Sequence, residues 1–107
     1  MSYGDLLDGL GRFSEPALYV MISLAEGPKH GYAMTQDIES VSGQKLGPGT
    51  LYGAIARLEA RKWIEPLPAQ DRRRPYRLTP AGQRVLRHRL ESLRVLARVG
   101  RARLAEG

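Results

Sequence analysis

The sequence predicts a mostly helical fold with one small β-hairpin, in a chain whose 107 residues leave room for a single modest core. Three observations lead there. Two proline-opened helix starts, Gly47-Pro48 and Thr79-Pro80, each head a stripe of apolar residues at helical spacing. Two short runs of strand character, 63–67 and 75–78, flank a polar tip rich in arginine. Beyond residue 80 the apolar positions narrow to one seam surrounded by arginine, the pattern of a long helix that pairs with another helix.

Taken in order, residues 1–13 are short and punctuated by glycine, and they read as a loosely held arm. A first helix follows, with Ser14 as N-cap, Glu15 in the first turn and Pro16 near the start. Its expected inward stripe is Leu18, Met21, Ile22 and Ala25, widened by Val20 and Leu24, and Gly27-Pro28 stops it. A helix apolar over so much of its circumference needs cover on more than one side, so an interface is expected besides a core. The second helix should run from Gly31 to Val41. Ala33, Met34, Ile38 and Val41 should face inward, and Asp37 and Glu39 outward. Ser42-Gly43 ends it, and Gln44-Lys45-Leu46 reads as an extended link able to act as a strand.

The third helix starts abruptly. Pro48 suits the first helical position, and Gly47 is a weaker cap than Ser or Thr. Leu51, Ile55, Leu58 and the stem of Lys62 share one face, and the helix should end near Arg61-Lys62, where cations suit the dipole. The opposite face, Gly49, Thr50, Gly53, Ala56, Arg57 and Ala60, is nearly bare backbone. Glycine inside a helix costs up to about 1 kcal/mol relative to alanine, and close approach to a partner would explain Gly53. Two partners suit such a face: the major groove of DNA, about 12 Å wide, or a neighbouring helix packed tightly in the core.

The hairpin is anchored by Trp63 and Ile64, and its prolines are tolerable because such a ribbon is mostly edge. Thr79 and Pro80 then form an N-cap and N1 pair, from which one helix should run to about Leu104. Leu86, Leu90, Leu93, Ala97, Gly100 and Leu104 step by four and three along it. A narrow seam at the end of a small domain has little of its own chain to pack on, so a second copy is the natural partner.

Charge sharpens the picture. The net charge is +6, yet residues 1–56 carry three Lys/Arg against six Asp/Glu, whereas residues 57–107 carry fourteen against five. Basic charge that begins at the third helix and continues onward resembles a polyanion footprint. Generic use of arginine at the surface is the bland alternative. There is no cysteine for a disulfide or thiolate site, and His30 and His88 match no metal-ligand spacing, so no metal or cofactor is expected. Gly47-Pro48-Gly49 has Tyr52 where a dinucleotide fingerprint needs glycine, and neither a phosphate loop nor a nucleophile elbow occurs, so no catalytic residue is proposed. The N-terminus lacks a basic and apolar leader and no run reaches membrane-spanning length, which predicts a cytoplasmic protein without membrane contact.

The order helix, helix, smooth helix, hairpin with basic tip, long helix is that of a winged helix-turn-helix followed by a C-terminal dimerisation helix. The predicted division is 1–13 arm, 14–79 winged-helix domain and 80–107 dimerisation helix. Three motifs in this order, Ala25-Glu26-Gly27-Pro28-Lys29-His30-Gly31-Tyr32, Gly47-Pro48-Gly49-Thr50-Leu51-Tyr52 with Arg57-Leu58-Glu59, and Tyr76-Arg77-Leu78-Thr79-Pro80-Ala81-Gly82, resemble the PadR-like family of bacterial transcriptional regulators. The resemblance covers residues from about 17 to 84. It implies a homodimeric repressor of double-stranded DNA with an inverted-repeat operator, whose Pro48 to Tyr52 motif opens the recognition helix and whose Tyr32 lies near the DNA backbone. Some members release DNA on binding phenolic acids or planar hydrophobic drugs, and others have no known ligand.

The residues expected at DNA are therefore Lys29, His30, Tyr32, Lys45, Pro48, Gly49, Thr50, Tyr52, Gly53, Arg57, Arg72, Arg73, Arg74 and Tyr76. Those expected at the dimer interface are Leu18, Met21, Ile22, Leu86, Leu90, Leu93, Ala97 and Leu104, and an effector would sit near Trp63 and Leu93 between protomers. The sequence departs from the family pattern at Gly47, usually Ser, at the arginine-rich tip, where glycine is common, and in its short C-terminal part. A protein-binding winged-helix module and a non-specific DNA binder are the competing readings. Acidic residues on the recognition face would favour the first, and affinity independent of sequence the second.

Overall fold

A computed structural model describes residues 15–106, in which α1 (Glu15–Ala25), α2 (Gly31–Ser42) and α3 (Pro48–Ala60) precede β1 (Ile64–Pro66), β2 (Tyr76–Leu78) and α4 (Pro80–Glu106). The arm and its Ser14 cap lie outside the described residues. α1 is central: it packs on α2, α3, β2 and α4. Its buried positions are Ala17, Val20, Met21, Ser23 and Leu24, while Ile22 and Ala25 are exposed. The inward stripe thus sits nearly one residue earlier than expected. Because α1 is apolar almost all round, its pattern carries no phase, and the neighbours choose the face.

α2 begins on His30, whose Nδ1 accepts from the Ala33 amide, and ends on Gly43, left-handed at φ 76°, whose N–H donates to Glu39. Met34 and Ile38 are buried as expected, but Val41, expected inward, is 69% exposed. α3 has Gly47 as a cap without a side-chain bond and Pro48 at N1. Leu51, Ala54, Ile55 and Leu58 bury its inner face. It ends at Ala60, two residues before the expected stop, since Lys62 turns left-handed at φ 61° and directs the chain into the hairpin.

β1 and β2 pair antiparallel, Ile64 with Leu78 and Pro66 with Tyr76, and the ribbon continues through Leu67 N–H to Pro75 O at 2.8 Å. The short link at Lys45 forms no strand. Outside the two strands, Lys29 forms an isolated antiparallel bridge, exchanging backbone hydrogen bonds with Tyr76 at 3.2 and 3.0 Å. One bridge there is enough to weld the loop before α2 onto the wing. Thr79 caps α4 by accepting from the Gly82 amide at 3.0 Å, and its hydroxyl donates to the Lys62 carbonyl at 2.7 Å. Gly82 lies so close to the Trp63 carbonyl that a Cβ there would overlap it. The expected seam begins inside the protomer: Leu86 is only 5% exposed and belongs to this chain's own core, as does Met21, with Leu18 half-buried against them. Packed in this core, Leu86 and Met21 leave little side-chain surface for a second copy. Leu90, Leu93, Leu96, Val99 and Leu104 are exposed.

Candidate nucleic-acid interface

The outer face of α3 is built by subtraction. With the Leu51, Ile55 and Leu58 side turned into the core, Gly49, Thr50, Ala56, Arg57 and Ala60 are left exposed, and Gly53 is half-buried with nothing within 4 Å of where a Cβ would stand. Among the described residues no neighbouring helix covers this face, which does not favour the packed-core alternative for it. Pro48 and Lys45, at the entrance to the helix, are exposed as well.

Beside α3 stands the wing. Its tip is a two-residue turn, Asp71-Arg72, closed by hydrogen bonds between Gln70 and Arg73 at 2.7 and 2.8 Å. Both central residues have positive φ, 49° and 67°, as a type I′ hairpin turn requires. The three arginines differ in what they meet. Arg72 heads the turn. Arg73 extends Nη1 to within 3.4 Å of His30 Nε2, whereas Arg74 donates to the Leu67 carbonyl at 2.9 Å and so braces the hairpin.

Between α2, α3 and the wing lies a cleft of about 300 Å³ lined by His30, Gly31, Tyr32, Tyr52, Arg72, Arg73, Arg74 and Tyr76. Three separated motifs thus converge on one surface. Tyr32 and Tyr52 are more than half exposed, and the Tyr52 hydroxyl closes on Gly31 so tightly that a Cβ there would collide with it. Burial foremost, then the Glu59 carboxylate, raises the Tyr76 phenol above its ordinary value against the opposing pull of Arg74. The phenol therefore stays a neutral donor at physiological pH.

Lys29 is a correction. Its ammonium, expected at the DNA backbone, turns inward to the Ser23 carbonyl and the carboxylates of Glu26 and Asp37, at 3.5 and 3.9 Å, with 16% of the side chain exposed. The same contact draws Asp37, expected outward, toward the protein. Gln36 was not singled out from sequence, yet it is exposed and donates to the Tyr32 hydroxyl at 3.2 Å. Its position four residues after Tyr32 was the available signal.

Trp63 is half-buried, with the Arg61 guanidinium 5.0 Å from its ring centre, and it lines a small cavity with Ala17, Leu18, Met21, Val85, Leu86 and Arg89. That cavity, about 20 Å³, holds a water and no more. Leu93 is not part of its lining and lies farther along α4. Among the described residues, no helix is long and apolar enough to cross a membrane.

The comparisons with known proteins agree with this geometry. The family model of the PadR-like transcriptional regulators matches residues 20–88. The chain is 38% identical over 84 residues to the transcriptional regulator Rv3488 of Mycobacterium tuberculosis, covering 76% of this chain and 78% of that protein. It is 49% identical over 82 residues to an uncharacterised 37.1 kDa protein of transposon Tn4556 from Streptomyces fradiae, of which it spans only 24%. A transcriptional regulator from Clostridium thermocellum superposes with a TM-score of 0.74 at 26% identity, over 86% of this chain and 93% of that one. A PadR-like transcription factor from Bacteroides fragilis shares the fold at a TM-score of 0.76 and 20% identity, over 89% and 95%. The architecture, the three motifs and the family model converge, and the chain belongs to the PadR-like family of transcriptional regulators.

Proposed function

We propose that the protein is a repressor that binds an inverted-repeat operator as a homodimer, with α3 in the major groove and the wing on the flanking backbone. The observation that carries this reading is the convergence of α3, the start of α2 and the arginine tip on one cleft and one exposed face. Thr50 and Arg57 are the side chains of the α3 face with hydrogen-bonding reach to base edges. Lys45, Pro48, Gly49, Tyr52 and Gly53 bring the helix close, and His30, Tyr32, Tyr76, Arg72 and Arg73 address phosphates. Arg74 acts through the hairpin it braces. Dimerisation uses the exposed seam of α4 from Leu90 through Ala97 to Leu104, flanked by Ile22 of α1. A hydrophobic or aromatic effector would need a pocket completed by the second copy, because the cavity beside Trp63 is too small in one protomer.

The test is binding to the duplex upstream of the protein's own gene against a random duplex of equal length. Preference for the upstream duplex, with Arg57→Ala losing about 1–3 kcal/mol of that preference, supports sequence reading by α3. Equal affinity for both would identify a non-specific binder, and no affinity for either would leave the protein-binding module.

A further inference from the structure

His30 and Arg73 face each other across the joint between the helix-turn-helix and the wing, with His30 Nε2 3.4 Å from Arg73 Nη1. The other ring nitrogen is engaged: Nδ1 stands 3.4 Å from the Ala33 amide and accepts from it as the cap of α2. In the neutral tautomer that accepts at Nδ1 the proton sits on Nε2, and the nitrogen turned toward Arg73 is then a donor. A guanidinium has only donors. Two donors therefore converge on one point, and the group that suits both is an anionic oxygen lying against the pair.

The surroundings say which side it approaches from. On one side of the pair lies a cleft lined also by Gln70, Pro75 and the acidic residue Asp71. On the other lies the 300 Å³ cleft of Tyr32, Tyr52, Tyr76, Arg72 and Arg74, whose lining contains no carboxylate and three phenols able to donate. A tetrahedral phosphate with two exposed oxygens fits the second side and is repelled from the first. Gly31 sets the depth of the cleft, since it alone lets the Tyr52 hydroxyl close on the α2 backbone.

We propose that His30 Nε2–H and the Arg73 guanidinium grip one and the same phosphate of the DNA backbone, so that a single phosphate locks α2 to the wing. This rests on the DNA-binding reading above, and it adds a fixed imidazole tautomer and a coupling between two elements. Separate phosphate contacts would contribute independently. A shared one does not, because once either donor is gone the other holds the phosphate poorly.

The experiment measures affinity of the full chain for a labelled random 40-base-pair duplex and for the duplex upstream of its own gene. The variants are His30→Asn, Arg73→Ala and the double variant. Asparagine is a strong N-cap, so α2 keeps its start, but its amide is too short to reach Arg73. His30→Asn should unfold at the wild-type temperature and bind both duplexes roughly tenfold more weakly. The double variant should bind little worse than Arg73→Ala alone, and His30→Asp, which keeps the cap and adds a negative charge, worse than His30→Asn. Losses that multiply in the double variant, or a His30→Asn protein that binds like wild type, overturn the shared phosphate while leaving the DNA-binding reading intact. A wild-type protein that binds neither duplex overturns both.

Discussion

Arg72 holds a left-handed backbone at φ 67°, a conformation that suits glycine and costs an ordinary residue about 1 kcal/mol or more. Asp71, before it, is among the few residue types that tolerate such a φ; arginine is not. A strained arginine at the foremost point of the wing fits the proposed role of its side chain at DNA. Arg72→Gly should therefore raise stability in urea unfolding by about 1 kcal/mol and at the same time weaken duplex binding. A variant both more stable and equally tight on DNA would remove Arg72 from the interface. Gly82 behaves in the opposite sense. Gly82→Ala would drive a methyl into the Trp63 carbonyl, and a loss of roughly 1–3 kcal/mol is expected from the forced shift of backbone.

At the scale of the element, the proposed DNA complex divides the work between α3, through proximity, and the wing, through charge. Nothing stands within 4 Å of a Cβ built on Gly53, so Gly53→Ala meets no steric obstacle inside the protein and should stabilise α3 by up to about 1 kcal/mol. If α3 lies deep in the major groove, the added methyl should cost operator affinity all the same. Unchanged operator binding in that variant would mean that the helix stands off from the bases. The wing is read through salt. Each phosphate contact contributes about 0.9 to the slope of log affinity against log salt, and a dimer presents the tip twice. Replacing Arg72 and Arg73 by alanine should flatten the slope by roughly two to four units, with similar losses on operator and random duplex. A larger loss on A·T-rich flanks would place one arginine in the minor groove instead, where the groove is narrow and more negative.

The whole molecule is a small core with a long helix projecting from it. α4 has 27 residues, about 40 Å of helix, and among the described residues its buried positions, Gly82 and Leu86, lie in its first two turns. Leu90, Leu93, Leu96 and Val99 present an apolar strip between arginines, which the proposed pairing with a second copy would cover. Leu93→Arg should thus yield a folded monomer in sedimentation, and weaker operator binding follows from losing the second half-site. Leu86→Ala should do the reverse: a loss of about 2–5 kcal/mol of stability with the dimer retained at concentrations where the chain is folded. A two-fold dimer also constrains the operator, whose half-sites should lie about 34 Å apart or a multiple of it.

Much of this was legible in the sequence, because its strongest signals are local. The two starts at Pro48 and Thr79-Pro80, the stop at Gly43, the inner face of α3 and the hairpin pairing all follow from backbone chemistry within a few residues. The three motifs that placed the family are of the same kind. What lay beyond the sequence is every choice between two apolar faces and every contact between distant residues. α1 could bury either side, and only its packing on α2, α3, β2 and α4 selected Ala17 and Val20 over Ile22 and Ala25. Leu86 looks like the first step of a seam, and tertiary packing makes it the last residue of a core. Lys29 reads as a surface cation until Ser23, Glu26 and Asp37 are folded around it. His30 and Arg73 are 43 residues apart, and the fold, with the Lys29–Tyr76 bridge joining the loop before α2 to the wing, brings them within 3.4 Å of each other. Local preference is written along the chain, whereas which surfaces meet is settled by the packing of the whole fold.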